Sequence, residues 1–315
     1  MENLLTSSPK PLSFGERERQ CEELFLNRGP FFHLCTPGDA TLTLFENAED
    51  FRYGMNLVAL CTHLKPTVNI ITFELMGSHL HIVGEGTAEA AGNWFTEERR
   101  RLYRFYQSTG RVRDLSAFQP KIIPVSDLSF LRNTIAYVNR NGYLVHPEST
   151  PFSYPWGANR FYFNPDAKFR QDGKYGDLTY DEKRRLFHSN TIDYPATHAI
   201  VDGYISPPAF CDLDLGEGVF RDARHYFSLV SRSVEGYRDI ARLIGDQVFC
   251  TDDELYLIVR QICKDKYGTS RPDTLPPDLK RELTKTLHYD YKAGIPQIRR
   301  MLRVEESAVR AILGK

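Results

Sequence analysis

The chain has 315 residues, is 41% apolar and 12% aromatic, and carries 40 basic against 41 acidic side chains for a net charge of −1. That supports a folded protein of roughly two domains and excludes a partner drawn by global charge alone, so local patches matter more than the sum. No apolar stretch approaches the roughly 20 residues a membrane helix needs, and the start, MENLLTSSPKPLSF, lacks the basic-then-apolar order of a secretion signal, so no membrane partner and a cytoplasmic location are expected. In chain order, FFHLCTPG (31–38) predicts a short strand ended by Pro37 and Gly38, and AEDFRYGMNLVALCTHL (48–64) a helix with apolar residues at helical spacing. Pro66 breaks that helix. TVNIITFELM (67–76) alternates as a strand does, and a turn at Gly77–Ser78 leads into HLHIVGEG, which predicts an antiparallel hairpin. Residues 87–109 read as a long helix with a basic, aromatic second half, and LSFLRNTIAYVNRNG (128–142) as another, stopped at Asn141–Gly142. The order βα-ββ-α-α suits an α+β fold with helices against an antiparallel sheet.

Residues 159–250 mix Gly, Pro and Asp with short helical pieces at 180–188 and 234–245 and form no recognisable unit, so this stretch is expected as an extension without an assigned role. A helix follows at 251–268, with Thr251 and Glu254 at capping-box spacing. Beyond a proline-rich hinge, GIPQIRRML and EESAVRAIL flank a tight turn at Arg303–Val304, the pattern of a helix-turn-helix or of an ordinary helical hairpin. A DNA-binding version would use Arg299 and Arg300; charge does not decide, since 251–315 holds 13 basic and 10 acidic residues. The six cysteines include no C-x-x-C pair and are expected as reduced, mostly buried thiols.

His79 and His81 stand two apart in the predicted hairpin strand. Residues i and i+2 of a strand share a face, so both imidazoles can address one divalent metal while Leu80 turns into the core. Chance alone gives roughly 0.26 such pairs in a chain of this composition, so the pair is weak by itself. Tyr137 and Asn141 lie one helical turn apart and can offer a phenol and an amide oxygen together. The plainer alternative places Tyr137 in the core and makes Asn141 a helix end.

Residues 31–158 resemble the HUH single-tyrosine transposases, especially the REP-associated tyrosine transposases. The likeness runs in order through FFHLCTPGDATLTLFENAEDFRYGMNLVAL, ITFELMGSHLHIVGEG, LSFLRNTIAYVNRNGYLVHP and ESTPFSYPWGANRFYF. The resemblance implies a ferredoxin-like domain (1–158) that nicks and rejoins single-stranded DNA, with hairpin-containing DNA as partner and a nucleoid-associated location. It implies Tyr137 as the nucleophile, joined to a 5′ phosphate, and Mg²⁺ or Mn²⁺ held by His79, His81 and Asn141. The chain departs from the family at Ser78, where an asparagine is usual, and at Gly142–Tyr143, where relatives often read Pro-Val. A cation is needed physically, because a free tyrosine titrates near 10 and attacks poorly at neutral pH.

Residues 97–121 carry seven basic side chains, Arg99, Arg100, Arg101, Arg104, Arg111, Arg113 and Lys121, against three acids, interleaved with Tyr103, Phe105 and Tyr106. Arginines contact phosphates and aromatics stack on unpaired bases, which single-strand binding requires; a solvated helix face with its aromatics turned inward has the same pattern. Two other classes stay open: a domesticated DNA-binding protein that does not cleave, and a metal-dependent hydrolase that uses water and tolerates Tyr137→Phe. A homodimer, with the tyrosine acting in cis or in trans, is also left open.

Overall fold

The computed structural model describes residues 12–36, 43–116, 118–145, 153–190, 193–232, 252–291 and 293–314. Pro37, Gly38, the helical piece at 234–245 and the Thr251 cap lie outside the described residues. The first element, α1 (Phe14–Leu26), is not among the expected ones, although its start is written in the sequence: the Ser13 hydroxyl accepts from the Glu16 N–H while the Glu16 carboxylate accepts from the Ser13 N–H. Next come β1 (Phe31–Cys35) and α2 (Ala48–Leu64), the latter begun by the Asn47 side chain, which accepts from the N–H groups of Glu49 and Asp50. The hairpin is β2 (Asn69–Leu75) and β3 (Leu80–Glu85), joined as expected around Gly77–Ser78, with the Met76 N–H donating to the His79 carbonyl at 2.8 Å. Then follow α3 (Ala88–Ser108), β4 (Lys121–Val125) and α4 (Leu128–Val145).

The four strands form one sheet in the order β2-β3-β1-β4, with all neighbours antiparallel. A β-α-β-β-α-β succession in that order is the ferredoxin-like arrangement. Strand β4 escapes a sequence reading because it is short and contains Pro124; as an edge strand it tolerates a residue that cannot donate to the ladder. Alternation sorts the sheet into two faces. Leu80 lies opposite Leu75 on the side of α2, where a Cβ added to Gly54 would come within 2.8 Å of Leu75 Cδ1. His81 lies opposite both Glu74 and Cys35, on the other side, beneath α4.

Helix α4 does not stop at Asn141–Gly142 but continues to Val145. Gly142 is needed inside it for space, since a Cβ there would sit 2.0 Å from the Tyr154 ring. Residues after 153 close the exposed edge of the sheet. Trp156–Ala158 pair with β2 through Leu75 N–H to Trp156 carbonyl (2.8 Å) and Ala158 N–H to Phe73 carbonyl (3.0 Å), and Asp212 N–H donates to the Ile70 carbonyl (2.7 Å). An uncovered strand edge invites pairing with another chain, and this edge is covered from within.

The segment 153–232 builds α5 (Pro165–Phe169), β5 (Gly173–Lys174), α6 (Tyr180–Phe187), β6 (Ala199–Val201), β7 (Tyr204–Ile205), α7 (Leu213–Gly218) and α8 (Ala223–Arg232). Phe161, Tyr162, Tyr204, Leu213 and Tyr226 enter the same core as the sheet, so the boundary drawn at 158 falls within continuous packing. Helices α9 (Asp252–Tyr267), α10 (Pro277–Tyr289), α11 (Ile295–Leu302) and α12 (Glu306–Leu313) surround a second core built from Leu255, Val259, Leu283, Ile298, Leu302 and Val309. Between α11 and α12 the chain turns through Arg303 in the left-handed region, φ 48°, and Val304 packs back on that core. No helix among the described residues is long and apolar enough to cross a membrane.

Candidate functional site

The face of the sheet under α4 carries the polar side chains. From β3, His81 is fully buried; from β1, so is His33, whose Nε2 lies 3.2 Å from His81 Nδ1. Cys35, two residues beyond His33 and directly opposite His81, is 3% exposed. One ligand atom from each of His33, Cys35 and His81 falls within 4.8 Å of the others, so the three can hold a metal ion. His33 and Cys35 are the residues a sequence reading misses. Their signal is another i, i+2 pair of ligand types, H-x-C in FFHLC, and it becomes meaningful only once β1 is known to pair with β3.

His79 belongs to this neighbourhood without belonging to that group of three. It stands just ahead of β3 rather than within it, with its ring perpendicular to that of His81 at 5.0 Å between centroids and its Nδ1 3.1 Å from Ser78 Oγ. Leu80 between them is fully buried on the opposite side. Ser78 here supplies a hydrogen bond that orients the imidazole.

Helix α4 lies over these rings. Tyr137, 2% exposed, meets His81 edge-on at 5.7 Å and His33 at 6.4 Å. Asn141, one turn later, is buried, and its amide nitrogen has no hydrogen-bond partner among the described residues. Its neighbour Gly142 donates an N–H to Glu74 Oε2 at 2.7 Å, and Glu74 is the residue opposite His81 on β2. Burial pushes the Glu74 carboxyl well above the usual carboxylate range, opposed by the hydrogen bond from Gly142.

The helix is held at further points. The Thr72 hydroxyl donates to Asn139 Oδ1 at 2.5 Å, and Asn139 Nδ2 donates to the Tyr226 hydroxyl at 2.9 Å. Arg132 donates to the Val219 carbonyl and to Glu18, both at 2.6 Å. Hydrogen bonding to Arg132, joined by Arg221, lowers the Glu18 carboxyl to about 2. That group therefore stabilises the fold above its unfolded value near 4.5, and the contribution is lost as pH falls toward 2.

The basic stretch divides by environment. Arg100 and Arg101 both pair with Glu97, at 2.6 and 2.5 Å, and Arg113 pairs with Glu46. Arg111 grips the buried Asp50 through two nitrogens at 2.7 and 2.8 Å and lies over the Phe105 and Tyr106 rings, which makes it part of the packing. Arg99 is half-buried and donates to the Phe118 carbonyl at 3.5 Å. Arg104 and Lys121 are exposed. Of the aromatics, Phe105 and Tyr106 are core residues and Tyr103 is exposed, so stacking on bases is open to Tyr103. Tyr103 shares an open cleft of about 690 Å³ with Arg99, Arg100 and Arg113. In the C-terminal unit Arg299 and Arg300 are exposed on α11, while Ser307, Arg310 and Ala311 are exposed on α12.

No family model matches the chain, and no curated protein matches it. Among solved structures it is similar to a REP-associated tyrosine transposase bound to a REP hairpin, with a TM-score of 0.35 and 10% sequence identity over 56% of this chain and 94% of that one. At that level neither partner nor mechanism transfers to this chain.

Proposed function

We propose that the chain is a transposase-like protein that binds DNA and cuts and rejoins a single strand through Tyr137. The observation that carries this reading is the position of Tyr137, edge-on to His81 and His33 over a cluster of metal-ligand side chains on a ferredoxin-like sheet. In the reaction the Tyr137 oxygen attacks the scissile phosphorus, the bond to the 3′ oxygen breaks, and the phenolic proton passes through solvent to the released 3′ hydroxyl. The phosphotyrosine retains the energy of the broken phosphodiester, so a 3′ hydroxyl can run the step backwards and join strands. A divalent cation supplies charge neutralisation at the phosphate and favours phenolate character. His79, His81 and Asn141 are the expected holders of Mg²⁺ or Mn²⁺, and Asn141 is buried on α4 one turn after Tyr137.

On this reading Glu74, Thr72 and Arg132 keep α4 in register over the sheet, Glu97 orients Arg100 and Arg101 of α3, and Asp50 and Glu46 orient Arg111 and Arg113 in the segment after it. DNA would run along the Tyr103 cleft, with Arg104 and Lys121 adding charge, and the α11–α12 pair, through Arg299 and Arg300, would contact duplex or hairpin DNA.

A second reading, a DNA-binding protein that does not cleave, is favoured by the burial of Tyr137 and by the acidic partners of Arg100, Arg101, Arg111 and Arg113. A labelled single-stranded hairpin from the flanks of the gene, incubated with protein and Mn²⁺, separates the two on a denaturing gel. A protein-linked band that disappears in Tyr137→Phe is expected. Shifted DNA without a covalent band across several flanking sequences and metals would establish the non-cleaving reading.

A further inference from the structure

The metal expected from family resemblance is a hard cation, but the donors gathered under α4 are not the ones such a cation selects. Mg²⁺ demands near-octahedral oxygen ligation and keeps much of its water, and Mn²⁺ likewise favours oxygen. The three ligand atoms that lie together here come from two imidazoles and a thiol. Glu74, the carboxyl nearest in strand register, turns to the Gly142 N–H instead.

We propose that His33, Cys35 and His81 form a tetrahedral N₂S site for zinc or another thiophilic divalent ion, with Cys35 bound as thiolate. This rests on the reading of the α4 face as a metal centre and changes both its ligands and its ion. Three observations support it. The first is register: Cys35 pairs directly with His81 across β1 and β3, and His33 lies two residues from Cys35, so strand alternation puts all three on one face. The second is distance. Two nitrogens at about 2.0–2.1 Å from a tetrahedral ion stand roughly 3.3 Å apart, and His33 Nε2 lies 3.2 Å from His81 Nδ1. The third is burial: all three side chains are withdrawn from water, whereas Mg²⁺ keeps several waters in its shell.

In the structure His33 Nε2 and His81 Nδ1 lie within hydrogen-bonding distance, and Cys35 Sγ reaches the Lys121 carbonyl at 3.8 Å. Metal binding would release the Sγ proton to solvent, and the proton between the rings would move to the far nitrogen of the imidazole that carries it. Three protein ligands leave a fourth position, as in sites where zinc takes water or substrate. Tyr137 packs edge-on to both imidazoles, so the fourth ligand and the phenol would be neighbours.

The test uses the full-length chain. Its metal content is measured after purification without chelator, and Co²⁺ is then titrated into protein stripped of metal. The expected result is about one zinc per chain and, with cobalt, a thiolate-to-metal charge-transfer band together with the intense visible bands of a tetrahedral ion. Cys35→Ser should lose the charge-transfer band, and His33→Gln should weaken metal binding at least tenfold; a site built instead on His79, His81 and Asn141 would lose binding in His79→Ala and Asn141→Ala. Should Cys35→Ser fail to fold, zinc X-ray absorption of the native chain substitutes for it; one sulfur at about 2.3 Å beside imidazole nitrogens is expected. The proposal is overturned by cobalt spectra lacking the thiolate band, by a zinc shell without sulfur, or by binding lost in His79→Ala and Asn141→Ala but kept in Cys35→Ser. These readouts need no DNA. A thiolate-bound ion without a covalent DNA adduct would leave this proposal standing and refute strand cleavage, whereas an adduct formed with Mg²⁺ in a chain without the thiolate band would do the reverse.

Discussion

The two faces of the ferredoxin-like sheet are built from the same strands and differ in almost everything else. Toward α2 and α3 the strands present Leu34, Leu80 and Ile82, each almost completely buried. Toward α4 they present His33, Cys35, Thr72, Glu74 and His81, equally buried but polar. Burying polar groups costs several kcal/mol each unless hydrogen bonds or ligands compensate. A face that spends its alternate positions this way is organised for something other than packing. The Thr72–Asn139–Tyr226 chain and the Glu74–Gly142 contact show how that cost is offset where no ion is invoked: they tie a helix to the sheet.

The sharpest contrast comes from truncating one face while sparing the other. Leu34→Ala should destabilise the fold by about 2–5 kcal/mol, read from denaturant unfolding, because a fully buried leucine leaves a cavity. Tyr137→Phe, on the opposite face, should abolish the covalent adduct while leaving the unfolding midpoint near that of the parent. Equal loss of stability in both variants would remove the distinction between the faces. Gly142→Ala should cost about 1–3 kcal/mol, because its methyl meets the Tyr154 ring and pushes α4 away from Glu74; a neutral result would show that α4 can shift freely.

Glu98 on α3 provides a smaller test of the apolar side. It is fully buried, neither carboxylate oxygen has a hydrogen-bond partner among the described residues, and burial raises its carboxyl to about 8. The folded state then holds a proton that the unfolded chain releases near 4.5, so stability falls as pH rises from that value toward 8. Glu98→Gln should raise the melting temperature more at pH 8 than at pH 5, by roughly 2–4 °C per kcal/mol recovered. A gain independent of pH would show that Glu98 titrates normally. The smallest effect is expected at the surface: Arg100 and Arg104 substituted together should weaken single-stranded DNA binding and lower its salt slope by about 1.4, or roughly 0.7 for each phosphate contact. An unchanged slope would place the strand elsewhere.

Local patterns in the sequence determined much of this protein. The alternation of β2 and β3, the Gly77–Ser78 turn and the helical spacing of α2 and α3 depend on neighbours within a few residues, and each led to the expected element; the His79, His81 and Tyr137 signals are equally local and lead to side chains that lie near one another under α4. Capping at Ser13 is equally local and was readable, though α1 was not among the expected elements. What only tertiary structure decided depends on residues far apart in the chain. Pairing of β1 with β3 brought His33 and Cys35 to His81; covering of the β2 edge drew residues 156–158 and 211–212 into the sheet; and the acids Asp50 and Glu46 claimed Arg111 and Arg113. Helix α4 passes through Gly142 because Tyr154, twelve residues later, fills the space a side chain would need. A sequence specifies which face of a strand a residue takes through its period of two, but the partners waiting on that face are set by strand order, which no local pattern contains.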